Sequence, residues 1–232
     1  MPSVLAWLGM RSLRYSTIVW FCAAMLCASV AGARPLRSLA PGPETQVQKS
    51  KAERGGVQPC NSPDPGFRGY RRWDRSPRIG QMLLPAKAFV GRDGRFDVVF
   101  HFHGHEPIRK EWVRVMDHTV LVGIDLGVGS AAYMAPFLHA HGFDRLLRSV
   151  EAGVRRRTGR DDARAGRIAL SSWSAGYGAL QQILRQPVAR RIDAVFVLDG
   201  MHASYRGRRI DGTQLKPFID YARRAERGDR LM

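Results

Sequence analysis

Cysteine is scarce in this chain. Three occur in 232 residues, and two of them, Cys22 and Cys27, sit in an apolar N-terminal stretch. If that stretch is removed, Cys60 stands alone, and a single thiol closes no internal disulfide. A disulfide framework is therefore excluded for the mature chain. Acidic residues are also few: 20 Asp and Glu stand against 37 Lys and Arg, a formal net charge of +17. Such a balance invites a nucleic-acid reading. The arginines, however, are spread through every expected helix and loop, and no nucleic-acid motif accompanies them. The charge reads as a solvated, arginine-rich surface with no specific nucleic-acid partner, suited at most to weak association with anionic membranes or polysaccharides. The chain has no Walker-type or dinucleotide-type glycine loop, no H-E-x-x-H motif and no internal repeat.

Three segments follow one another. Arg11 and Arg14 precede an apolar run over residues 15–30, and Ala31-Gly32-Ala33 fits an A-x-A cleavage site. The run is short for a membrane span and no stop-transfer pattern follows. Residues 1–33 are thus expected to be a signal peptide for export to the periplasm or the medium, with an uncleaved signal anchor as the alternative. Residues 34–75 are rich in Pro, Gly, Arg, Gln and Ser and lack apolar periodicity, so an irregular lead-in that adds little to the core is expected. Residues 76–232 alternate between apolar runs and amphipathic stretches. Strands are expected at 81–90, 97–103, 119–124, 168–171 and 192–198, with helices at 107–116, 143–157, 177–184 and 215–227. Strands alternating with helices predict an α/β protein with a mostly parallel sheet. Its ligand site is expected beyond the strands' carboxyl ends, where His103, Gly104, His105, Asp125, Ser174 and Asp199 fall.

The richest stretch runs from Arg167 to Leu180. An apolar strand enters the turn Ser172-Trp173-Ser174-Ala175-Gly176, and an amphipathic segment leaves it. A serine at such an apex projects its hydroxyl from the end of the sheet, above a helix N-terminus, where backbone N–H groups can stabilise an oxyanion. Gly176 supplies the small residue that the turn needs, and Gly178 lets the helix pack close to the sheet. This pattern resembles the nucleophile elbow of the α/β-hydrolases, G-x-S-x-G, with Ser172 in place of the first glycine. The upstream strand ending His103-Gly104-His105 resembles the hydrolase strand that helps build the oxyanion hole.

The resemblance covers residues 80–232 and implies a three-layer α/β/α sandwich. It implies a serine esterase or amidase acting on a small-molecule ester or amide, with no cofactor. Ser174 would be the nucleophile, and the backbone N–H groups of Ala175 and of Gly104 or His105 the oxyanion donors. Asp199, which ends an apolar strand, is either the acid that orients a histidine or a cap on the turn at Gly200. The only histidine after Ser174 is His202. A hydrolase histidine is expected after a later strand, so the reading favours a chain lacking its last strands and its base. His202 acting as the base is the alternative. His101, His103 and His105 alternate along a strand and could share a face as zinc ligands, but no further ligand completes a set. A sheet-packing role is the other reading, as is a non-catalytic binding domain for the chain as a whole.

Overall fold

Strand register explains which side chains meet at the site. In the computed structural model, which describes residues 64–228 and 230–232, five strands form one sheet in the order β1-β3-β2-β4-β5. They are β1 (Gln81–Leu83), β2 (Arg95–Phe102), β3 (Thr119–Ile124), β4 (Arg164–Trp173) and β5 (Ala194–Leu198). β3, β2, β4 and β5 run parallel, and β1 lies antiparallel on β3. The expected signal segment, its cleavage site, the lead-in up to residue 63 and all three cysteines lie outside the described residues. Among the described residues no helix is long and apolar enough to cross a membrane.

Alternation along the strands sorts residues to two faces. Phe96, Val98, Phe100 and Phe102 of β2 join Val120, Val122 and Ile124 of β3 and Ile168 and Leu170 of β4 in the main core. Helix α3 (Gly142–Thr158) covers this face with Leu146, Leu147, Val150 and Val154, and Phe143 meets Phe100 edge to face at 4.8 Å. This helix stops at Gly159, whose φ of 69° is the left-handed cap that favours glycine. The intervening residues point to the other face: His101 pairs in register with Gly123 and Ser171. Helices α1 (His105–Val115), α2 (Ser130–Met134), α4 (Tyr177–Ile183) and α5 (Gly212–Glu226) complete the flanks. A small hairpin of β6 (Tyr205–Arg206) and β7 (Arg209–Ile210) precedes α5.

The structure departs from the sequence expectations in a few places. The first strand ends at Leu83 rather than at residue 90. Pro85, two residues on, forms only an isolated bridge with Tyr70, as a residue without a backbone donor does at a sheet edge. β4 begins at Arg164, four residues earlier than expected, because its polar start pairs with the polar start of β2. Residues 64–75 hold no helix or strand, yet they are fastened to the sheet. Tyr70 is buried and donates its hydroxyl proton to the Thr119 carbonyl at 3.0 Å. The buried Arg109 of α1 binds the Asp64 carboxylate at 2.7 Å. Asp74 exchanges backbone hydrogen bonds with Met82. A stretch without apolar periodicity still packs when single anchors such as Tyr70 do the holding. Leu231 makes a parallel bridge to Ala194 on the outer side of β5.

Candidate active site

Parallel strands bring their carboxyl ends to one edge, so the register itself assembles the candidate residues. Phe102 pairs with Ser172, and Trp173 with Leu198, which places His103, Ser174 and Asp199 side by side just past three neighbouring strands. All three have left-handed backbone, with φ of 74°, 42° and 54°. A non-glycine residue in that region is strained, and such strain clusters at functional sites. The sequence pattern also implied the compactness of the turn. A Cβ on Gly176 would run into the Phe102 carbonyl, lying 2.7 Å from its carbon, and one on Gly178 would lie 2.5 Å from the Ser130 oxygen.

Ser174 opens a single 3-10 turn, Ser174–Gly176, that leads into α4. The first N–H groups of such a turn have no intrahelical acceptor, so Ala175 offers a donor beside the hydroxyl. Trp173 turns its ring across His103, stacked at 5.0 Å and 10°. The Gly104 backbone approaches the same indole; a Cβ there would stand 3.0 Å from Trp173 Cε3. The His-Gly turn and the serine turn are therefore neighbours on one sheet edge.

The N–H groups of Gly104 and His105 are both engaged. Asp125, one residue past β3, accepts the Gly104 N–H at 2.7 Å and the His105 N–H at 3.3 Å. It also lies 2.5 Å from His105 Nδ1. These bonds hold the Asp125 carboxyl at about 2, below the ordinary carboxylate value, despite the opposing effect of its burial, which is the largest single influence. The pair of N–H groups is thus an anion cradle, filled here by a side chain of the protein itself.

The three alternate histidines do not converge. His101 is fully buried, with Nε2 2.8 Å from the His103 carbonyl and Nδ1 3.0 Å from Ser171 Oγ. The carbonyl can only accept, so Nε2 carries the proton and Nδ1 accepts from the serine hydroxyl. His103 leaves the strand at its left-handed φ and reaches the Tyr133 hydroxyl with Nδ1 at 2.7 Å. His105 is already in α1, between Asp125 and Gln81, whose amide nitrogen lies 2.5 Å from His105 Nε2. Strand alternation ends at Phe102, and the shared face expected for the three rings ends with it. Among the described residues no group of three metal-binding side chains comes together.

Asp199 and His202 follow β5, and both are exposed. The His202 ring rests against the Tyr177 ring, centroids 5.4 Å apart. Its Nε2 lies close to Gly200, 3.2 Å from where a Cβ would stand. Among the described residues no hydrogen bond joins Ser174 Oγ, Asp199 and His202 to one another. Tyr133 carries no sequence motif, yet it sits at the centre of the site. It is a buried hub that accepts the Leu126 N–H at 3.2 Å and lies 3.1 Å from the Gly127 carbonyl. Gln81 was not legible at all, since it reaches His105 from the antiparallel strand β1.

Burial lowers the His101 imidazole to about 4 from its ordinary 6.5, so the ring is neutral in the fold. The unfolded chain takes up this proton first as acid is added. Stability is therefore expected to be full above pH 6.5 and to fall as the pH drops from 6.5 toward 4, by about 3 kcal/mol for this one group. A second loss, from Asp125, follows between 3.8 and about 2. Urea unfolding across this range should show the first decline and its disappearance in His101→Asn; an unchanged profile in that variant would remove His101 as its source. No family model matches the chain, and no curated protein matches it.

Proposed function

We propose that this protein is a serine hydrolase of the α/β-hydrolase type, cleaving a small ester or amide with Ser174 as nucleophile and without a cofactor. One observation carries the reading. A serine with φ of 42° sits at the tip of a strand-to-helix turn packed against the neighbouring strand. In the reaction, Ser174 Oγ bonds the substrate carbonyl carbon, its proton passes to a base, and the alcohol or amine leaves with that proton. Water then releases the acid from the acyl-enzyme.

The base assigned here is His202, with Asp199 as its orienting carboxylate. His101 and His105 have both ring nitrogens engaged, and His103 is held by Tyr133 and by the Trp173 stack. His202 is exposed and holds only the ring contact to Tyr177. Before substrate binds, catalytic hydrogen bonds are often unmade. The Ala175 N–H serves as the first oxyanion donor. Those of Gly104 and His105 reach a substrate oxygen only once the Asp125 carboxylate has moved aside.

The test is a fluorophosphonate probe on the folded protein, in which Oγ displaces fluoride from phosphorus. The adduct is expected on Ser174 rather than on Ser171 or Ser172, at a rate that falls in His202→Ala and holds in His118→Ala. No adduct on well-folded protein would overturn the hydrolase reading. It would favour a non-catalytic binding domain, a reading supported by the fact that among the described residues no histidine is bonded to Ser174.

A further inference from the structure

At the far end of α4 from Ser174, the chain that was evenly arginine-rich in sequence becomes uneven in space. A groove of about 740 Å³ is lined by Arg185, Arg190, Arg223, Arg224 and Arg227, with Asp220 as its single acid. Two of these arginines follow α4, and three lie on or just past the last turns of α5, so two separate stretches of chain bring arginines to one groove; Arg185 also donates to the Thr213 carbonyl at 3.3 Å. Asp220 is shared: Lys216 bonds it at 2.5 Å, and Arg223 and Arg224 also lower its carboxyl below the ordinary value, so one carboxylate serves several cations. Arg190 and Arg223 are exposed and make no ion pair among the described residues. The Nε of Arg224 is buried without a hydrogen-bond partner, and its guanidinium carbon lies 5.1 Å from the Tyr221 ring centre.

Several arginines elsewhere are matched to acids. Arg157 pairs with Asp74, Arg160 with Asp162 and Arg167 with Asp97. Five arginines crowded around one acid favour an added anion, and the guanidinium fork matches phosphoryl oxygens in a bidentate way. The volume far exceeds one phosphate, and cations on two walls call for a ligand with more than one anionic group. Among the described residues no aromatic ring lines the groove, so nothing in it stacks a nucleobase.

We propose that this groove binds an anion carrying two or more phosphoryl groups, separate from the serine site and independent of the hydrolase reading. The phosphoryl groups come either from a free oligophosphate or from clustered phospholipid headgroups. The probe is inorganic tripolyphosphate, titrated calorimetrically into the full chain. The comparison is between Arg190→Ser/Arg223→Ser and Arg92→Ser/Arg156→Ser, a pair of exposed arginines outside the groove that removes the same charge.

Saturable binding is expected, weakened about tenfold per groove arginine, or about a hundredfold in the first variant, and little changed in the second. Vesicles of phosphatidylcholine with and without phosphatidic acid separate the sources. Capture on the acidic vesicles that needs Arg190 and Arg223 assigns the headgroups, and tripolyphosphate binding without such capture assigns the free anion. Equal weakening in both double variants would show diffuse charge and overturn the proposal, as would a titration that never saturates. Circular dichroism of each variant keeps loss of fold from being read as loss of binding.

Discussion

Ser174→Gly is expected to abolish hydrolysis while making the protein more stable. Removing a nucleophile costs on the order of 10⁴-fold or more in turnover, because the remaining machinery has nothing with which to form the acyl-enzyme. Against that loss stands the backbone. Ser174 holds φ of 42°, a conformation that costs a residue with a Cβ about 1–2 kcal/mol and costs glycine almost nothing. For a domain of this size 1 kcal/mol moves the melting temperature by about 2–4 °C. The glycine variant should therefore melt a few degrees higher and show no turnover, while Ser174→Ala should be equally inactive without the stability gain. An active glycine variant would remove Ser174 from the chemistry. An inactive one that melts lower would place strain elsewhere in the turn.

Gly176→Ala should be the most damaging small substitution in the site. The added methyl would overlap the Phe102 carbonyl group, 2.7 Å from its carbon and 3.0 Å from the Phe102 Cβ. Phe102 is the last residue of β2, buried and paired in register with Ile124 and Ser172, so it cannot move without its neighbours. A cost of about 3 kcal/mol is expected, at the upper end for a single overpacked methyl. Hydrolysis should fall with it, because the clash pushes apart the two strands that hold the His103 and Ser174 turns together. Gly178→Ala is the contrast. Its methyl would meet the Ser130 backbone oxygen at 2.5 Å and Met134 Cγ at 2.9 Å; that clash shifts the short helix α2 rather than a strand of the sheet, so a loss smaller than that of Gly176→Ala is expected. Thermal melts and ester turnover on both variants check the ordering; equal effects would mean that strand separation is not the cause.

What the sequence made legible were features carried by a single strand. β3 is a mostly apolar run, Thr119–Ile124, bounded by His118 and Asp125, and it was read to the residue. The Ser174 turn announced itself because small residues and an apolar run adjoin there. The α/β class with its mostly parallel sheet followed from strands alternating with helices. What stayed hidden were relations between strands. The His101–Ser171 bond spans 70 residues and the His105–Gln81 contact 24, and neither leaves a local signal. Seating Asp125 on the Gly104 and His105 N–H groups needs β3 to lie beside β2, which alternation alone does not order. The hairpin β6–β7 went unread because its strands are two residues long and half arginine. The groove arginines looked dispersed because α4 and α5 lie about 30 residues apart in the chain and meet only in the fold.

One consequence of the strand order concerns how the site is lost. β4 is bonded on both sides, by β2 and by β5, so Trp173, the residue before Ser174, belongs to one of the most enclosed strands of the sheet. Fraying at an edge strand leaves it in place, and the turn cannot melt by itself without pulling on both neighbours. For the proposed hydrolase, losing Ser174 from its place is then a global event, whereas Asp199 and His202 follow the edge strand β5 and are exposed; on heating, an inert population that keeps its central strands is expected to appear before the whole fold is lost.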